Sequence, residues 1–223
     1  GLVGSEMCIR DRGQTPTIPG VQIADIGGGA LYAAIGILIA LMGVKQNGVG
    51  QYVDTSMLDG AVSWLPVLAN DYFVKGVSPK AAENILNGQN ACYELYETAD
   101  GRYISIGAIE PHLWANFCDA IGKEEFKLWQ RDLTKQDEMF ACLREMFKSK
   151  TQAEWIEKLT GVDCCWAPVK NLEEVFADPQ VLARDMVYEM TDPAGCYGSV
   201  KMIGSAVKLS ETPARPELFP PRK

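Results

Sequence analysis

Apolar residues crowd most densely over positions 31–44. Leu31, Ile35, Leu38 and Met42 fall on one face of a helix, with Ile37, Leu41 and Val44 beside them. A helix that is apolar nearly all round belongs inside a domain. The run is shorter than the roughly 20 residues that span a bilayer, so it predicts a buried helix. Asp25 and then Gly27, Gly28 and Gly29 precede it. An aspartate is favoured at a helix start, where its carboxylate accepts backbone N–H bonds. Beyond the run, 45–50 reads as a turn and 51–55 as a short strand. A second helix is predicted over 57–75, interrupted by Pro66. The stretch 77–90, rich in Ala, Asn, Pro and Gly, reads as a connection between domains.

A second unit follows. Alternation over 92–98 and 102–108 around Ala99-Asp100-Gly101 predicts a hairpin. Pro111 opens a helix that Gly122 closes. An amphipathic helix is predicted over 136–148, and Thr151 with Glu154 forms a capping box for the next, which ends near Gly161. Positions 162–169 read as a strand. Asn171 caps a short helix to Ala177, Asp178-Pro179 breaks it, and a helical turn reaches Arg184. Strands over 186–191 and 199–207 flank a Pro/Gly turn, and a proline-rich tail begins at Thr212. Residues 1–12 show no periodicity, resemble translated adaptor sequence, and are set aside from the fold.

Composition narrows the chemistry. Twenty-nine acidic against 21 basic residues give a net charge of −8, which argues against nucleic acid as partner because phosphate contacts need a cationic face. Seven cysteines, with no CxxC pair, read as reduced and core-filling in a cytoplasmic protein. The single histidine, His112, excludes a His-rich metal site, and no metal is expected. Gly27–29 lack the GxGxxG spacing of a dinucleotide fingerprint. The five tryptophans read as core or interface aromatics, and Asp54 and Asp59 as turn or capping residues.

Four blocks carry a resemblance: PGVQIADIGGGALYAAIGILIAL, GVGQYVDTSMLDG, YELYETADGRYISIGAIEPHLW and GVDCCWAPVKNLEEVFADPQVLARDM. In this order and spacing they resemble the family III CoA-transferases and their relatives, the α-methylacyl-CoA racemases. The resemblance covers residues 13–207. It implies an α/β fold: the later part of a Rossmann-like large domain (13–76), a linker (77–89), a small α/β domain (90–170) and a return segment toward the large domain (171–223). It also implies an interlocked homodimer and an N-terminal half that is absent here.

The same resemblance assigns roles. Asp25 matches the nucleophile on which the transferases form an aspartyl-CoA intermediate, and splitting the exchange through a covalent intermediate eases each step. Gly27, Gly28 and Gly29 would let the thioester approach backbone N–H groups. Glu110 matches the glutamate of the GAIEP-type motif, which in the racemase branch supports a catalytic histidine. The residues by themselves leave a plainer reading open for each: Asp25 as a helix cap, Glu110 as an acid favoured near a helix N-terminus. The racemase histidine lies upstream of the aspartate, and no histidine precedes Asp25 here. His112 does not inherit that role.

Three readings follow. The first is transfer of coenzyme A between an acyl-CoA and a carboxylic acid, with no cofactor beyond the thioester substrate. The second is epimerisation of a 2-methylacyl-CoA through an enolate, with a base and an acid on opposite faces. The third is an inactive fragment of either. Transferase leads for the parent protein, and the inactive fragment leads for the chain as it stands. No membrane partner is expected.

Overall fold

Residues 20–80, 82–191 and 198–214 are described by a computed structural model of the chain. The adaptor-like segment 1–12, the Pro/Gly turn between the last two strands and the end of the proline-rich tail lie outside them. The chain divides into two compact units between Pro168 and Val169.

The first unit opens with a surprise. Ile23–Ala30 is a π-helix, with the Leu31 N–H donating to the Ile26 carbonyl, five residues back. It runs directly into helix α1 (Leu31–Asn47), which Gly48 closes in the left-handed conformation at φ 75°. Ser56 caps α2 (Met57–Val62) through its side chain, which accepts the Asp59 N–H. Pro66, at the first position of α3 (Pro66–Lys75), ends any continuation from α2. The predicted strand at 51–55 does not form: these residues have no regular structure and pair with no strand among the described residues. Val53 serves instead as packing, close against Gly36 of α1.

The helix over 31–44 was expected inside a domain, and the structure corrects this. Leu38 and Met42 are 60% and 63% exposed, and only Ala40 of α1 is buried. Among the described residues, nothing covers its outer apolar faces. Joined to the π-helix it gives 25 continuous helical residues, long and apolar enough by length and composition to cross a membrane. The predicted run was too short for that because it took no account of the π-helix.

The rest of the first unit is built on a three-stranded antiparallel sheet in the order β1 (Tyr93–Glu97), β2 (Tyr103–Gly107), β3 (Trp166–Pro168). The hairpin register pairs Tyr93 with Gly107 and Glu97 with Tyr103, and Gly101 turns the chain at φ 72°. In β2, Ile104 and Ile106 point inward while Tyr103 and Ser105 do not, the alternation a pleated strand imposes. Four helices pack on this side: α4 (Pro111–Ile121), α5 (Phe126–Trp129), α6 (Gln136–Phe147) and α7 (Gln152–Leu159). The one-turn α5 was not predicted. The expected capping box of Thr151 and Glu154 is present.

Phe147 lies at the middle of this core. Its ring stacks on Tyr96 at 4.8 Å and meets Trp155 at 4.4 Å. Each large buried aromatic also satisfies its polar atom, as a ring out of water must. Trp114 Nε1 donates to the Phe126 carbonyl, Trp155 Nε1 to that of Phe147, and the Tyr96 hydroxyl to that of Ala91. Cys92, Cys118 and Cys164 fill the core as expected, but Cys165 is exposed, at a positive φ of 52°.

The second unit holds α8 (Leu172–Ala177), α9 (Pro179–Ala183) and the antiparallel pair β4 (Val187–Thr191) and β5 (Ser199–Ile203). Asn171 and Glu174 form a full capping box for α8. The Asp178 carboxylate accepts the Gln180 and Val181 N–H groups at the start of α9 and pairs with Lys170.

Candidate functional site

Asp25 stands in the first turn of the π-helix and is exposed. It is not the cap; that position is Gln22, which makes no side-chain capping bond. Among the described residues its carboxylate accepts no hydrogen bond and forms no ion pair. A π-turn widens the helix at some energetic cost and recurs at functional sites.

The glycines after Asp25 are where helices cross. A Cβ on Gly28 would lie 2.9 Å from the Met57 carbonyl oxygen, and one on Gly29 would meet the Met57 side chain at the same distance. A Cβ on Gly27 would fall 1.9 Å from the Trp64 indole. Close packing therefore accounts for glycine at 27, 28 and 29 without reference to a ligand. Gly27 and Gly28 are buried and Gly29 is half-buried.

A directed chain of hydrogen bonds holds α2 and the turn after it against α1. Trp64 Nε1 donates to the Tyr32 hydroxyl at 3.2 Å, which lies 2.8 Å from Ser63 Oγ. Ser63 in turn donates to the Gly60 carbonyl at 2.7 Å, so Tyr32 is the donor to Ser63. The indole thus stays over Gly27, two residues from Asp25. Sequence reasoning singled out neither Tyr32 nor Ser63, since 31 residues separate the pair.

Glu110 occupies the N-cap of α4, with φ −69° and ψ 136°. Its carbonyl accepts the Trp114 N–H at 3.1 Å, but its side chain makes no capping bond. The residue is exposed, and among the described residues its carboxylate also accepts no hydrogen bond and forms no ion pair. His112 is exposed on the first turn of α4.

The backbone leading to Glu110 is tied on every side. Gly107 N–H donates to the Cys165 carbonyl and Ala108 N–H to that of Cys92. Gln130 Nε2 donates to the carbonyls of Ala108 and Ile109 at 3.0 and 2.9 Å, and Arg131 adds a second donor to Ile109 at 3.0 Å. No hydrogen bond or ion pair links Asp25 to Glu110. A cleft of about 700 Å³ opens beside β1, lined by Leu95, Tyr103, Phe140, Arg144 and others, and neither carboxylate lines it. Among the described residues, no group of His, Cys, Asp and Glu side chains could hold a metal ion.

Comparison with known proteins places this mixed α/β fold in a known class. The family model of CoA-transferase family III matches residues 3–223, and the chain belongs to that family. It is 34% identical to alpha-methylacyl-CoA racemase of Mus musculus over 165 residues, 74% of this chain and 43% of that protein. It is 29% identical to succinyl-CoA:glutarate CoA-transferase of Homo sapiens over 202 residues, 88% of this chain and 45% of that protein. The crystal structure of a CAIB/BAIF family protein from Brucella suis superposes with a TM-score of 0.75 at 26% identity, covering 99% of this chain and 57% of that one. The chain thus spans less than half the length of these two curated relatives.

Proposed function

We propose that the chain is part of a CoA-transferase that moves coenzyme A from an acyl-CoA to a carboxylic acid through Asp25. The observation that carries this is an exposed carboxylate on a π-turn, bound by no other described residue, in a member of family III. In this reading the carboxylate attacks the thioester carbonyl, the C–S bond breaks, and CoA leaves as thiolate with a mixed anhydride behind it. The thiolate then attacks the aspartyl carbonyl, releasing the acyl group as its carboxylate and leaving an aspartyl-CoA thioester. An incoming carboxylate displaces CoA by the same two steps in reverse, and Asp25 returns to its starting state. No redox partner is needed. Splitting the exchange this way replaces one difficult displacement by acyl transfers of ordinary difficulty.

A second reading, epimerisation of a 2-methylacyl-CoA, rests on Glu110. Its carboxylate, bonded to no other described residue and placed at a helix start, resembles an acid–base group more than a cap, and the mouse racemase is a relative. The interlocked homodimer belongs to the same proposal, and the exposed apolar faces of α1 support it as surface for further protein to cover.

Hydroxylamine tests the choice. The chain is incubated with an acyl-CoA, treated with hydroxylamine and digested. A hydroxamate on Asp25, absent from Asp25→Asn, supports transfer. Deuterium entering the substrate α-carbon from solvent, with no hydroxamate, supports epimerisation. Neither signal, with melting unmoved by any CoA ester, points to an inactive fragment.

A further inference from the structure

We propose that Gln130 is the positioning residue for Glu110; the functional part of this rests on Glu110 serving the chemistry above. Gln130 is only 6% exposed and sits just after α5, some twenty residues from the segment it holds. Both N–H bonds of its side-chain amide are used, one on each of the two carbonyls before Glu110. The amide is itself locked. Its own backbone carbonyl accepts Asn90 Nδ2 at 3.0 Å and Gln136 Nε2 at 3.4 Å, and Gln136 also accepts the Ala91 N–H. Asn90 and Gln136 are buried as well.

A buried polar network of this kind holds one geometry, because every alternative leaves an amide or carbonyl without a partner. The last links of the network are the carbonyls of residues 108 and 109; Arg131 is a second donor to Ile109, but Gln130 is the buried side chain that holds both carbonyls, and through them the backbone that aims Glu110. Packing does not demand an amide at this position, since leucine has similar bulk. What leucine lacks is the pair of donors, and the residue that follows the two carbonyls they hold is Glu110.

The experiment compares the wild-type chain with Gln130→Leu, Gln130→Glu and, as a control, Gln152→Leu. Gln152 is also buried, but its side chain bonds the Tyr103 carbonyl instead. Amide hydrogen exchange is followed at Gly107, Ala108, Ile109 and Trp114, whose N–H groups bond within or beside the tethered segment. Gln130→Leu is expected to speed exchange there about tenfold or more, the scale of one or two lost hydrogen bonds to buried carbonyls. Exchange in β1 should stay as in wild type, and Gln152→Leu should leave residues 107–114 unmoved. With a thioester substrate, Gln130→Leu should lower kcat about tenfold with KM within about twofold, as expected when a group acting in the transition state is misplaced. Gln130→Glu should lose activity as pH rises, because only the protonated acid can donate to a carbonyl.

Unchanged exchange at 107–114 in Gln130→Leu overturns the tether. Loosened exchange with unchanged kcat overturns the positioning role. A wild-type chain without turnover counts against the functional reading of Asp25 and Glu110, while the exchange arm still decides the tether.

Discussion

Gly60 of α2 rests directly on Gly28 of the π-helix. A Cβ built on Gly60 would lie 1.9 Å from the Gly28 carbonyl oxygen and 2.6 Å from its Cα. Backbone meets backbone, and neither side can give way as the end of a flexible side chain could. Gly60→Ala should therefore lift α2 off the segment that carries Asp25, at the roughly 1–3 kcal/mol or more typical of overpacking. Hydrogen exchange across 23–31 would report it as faster opening, with the β1–β2 hairpin unaffected. Wild-type exchange in that segment would contradict the crossing.

Asp25 and Asp178 look alike in sequence, each near a helix start, but the structure separates them. Asp178 caps α9 and pairs with Lys170; Asp25 is not the cap of its helix and pairs with no other described residue. Asp178→Ala should lower stability measurably, as the loss of an N-cap does. Asp25→Ala should change stability by no more than about 0.5 kcal/mol, as a surface substitution does. Urea denaturation of the two variants makes the comparison, and a large loss at Asp25 would restore its reading as a structural cap.

Acid should loosen the chain through a few identifiable carboxylates. The Thr98 hydroxyl, helped by the Gln152 N–H, holds Asp100 below the usual carboxylate range. The Thr151 N–H and hydroxyl do the same for Glu154, and Lys170 with the α9 N–H groups for Asp178. A carboxylate held lower in the folded than in the unfolded chain binds its proton less readily when folded. Its contribution is complete above the unfolded value, near pH 4, and is lost as pH falls through the folded value. Melting temperature should be flat from about pH 7 to about pH 5 and drop below about pH 4. Asp100→Ala should make that drop shallower; an unchanged acid limb would remove Asp100 from the explanation.

Thiol reagents should sort the described cysteines by depth. Burial pushes the Cys118 thiol up to about 12 and the Cys164 thiol up to about 11, and raises Cys92 as well. Cys165 is exposed and Cys142 half-buried. Labelling at neutral pH, read by mass spectrometry, should find Cys165 first, Cys142 next, and the other three only after denaturant. Early labelling of Cys118 would mean that the core around Phe117 and Phe147 opens readily.

What could be read in the sequence was local. The hairpin, the Thr151–Glu154 box, the Asn171 cap and the Pro111–Gly122 limits of α4 depend on residues a few positions apart, and each is present. The π-turn was not legible, because Gly27–29 adopt it against Met57, Gly60, Ala61 and Trp64, some thirty residues on. The strand expected at 51–55 had the right residues but, among the described residues, no strand to pair with. The buried amides left one usable trace. Gln136 stands on the same stripe as Met139, Phe140, Leu143 and Phe147, where a polar side chain signals a satisfied network inside the core. Gln130 left none, since it follows a one-turn helix without a pattern of its own. Asp25 and Glu110 were identified through the family resemblance, because the local sequence around each was equally consistent with a plain helix end.

The π-turn also makes the length of the glycine run a variable in itself. A π-turn is in effect an α-helix with one residue too many, so losing one of Gly27, Gly28 or Gly29 need not break the helix. The surplus would disappear and the first turn would rejoin α1 in α-helical register, at the cost of bringing Ile26 to the crossing on Trp64 that Gly27 now occupies. Because each residue of an α-helix advances the chain by about 100°, Asp25 would then swing by that much around the axis while every side chain of α1 stayed in place. A single-codon deletion would thus redirect the carboxylate without changing its identity, a kind of variation that comparison of residue types alone would pass over.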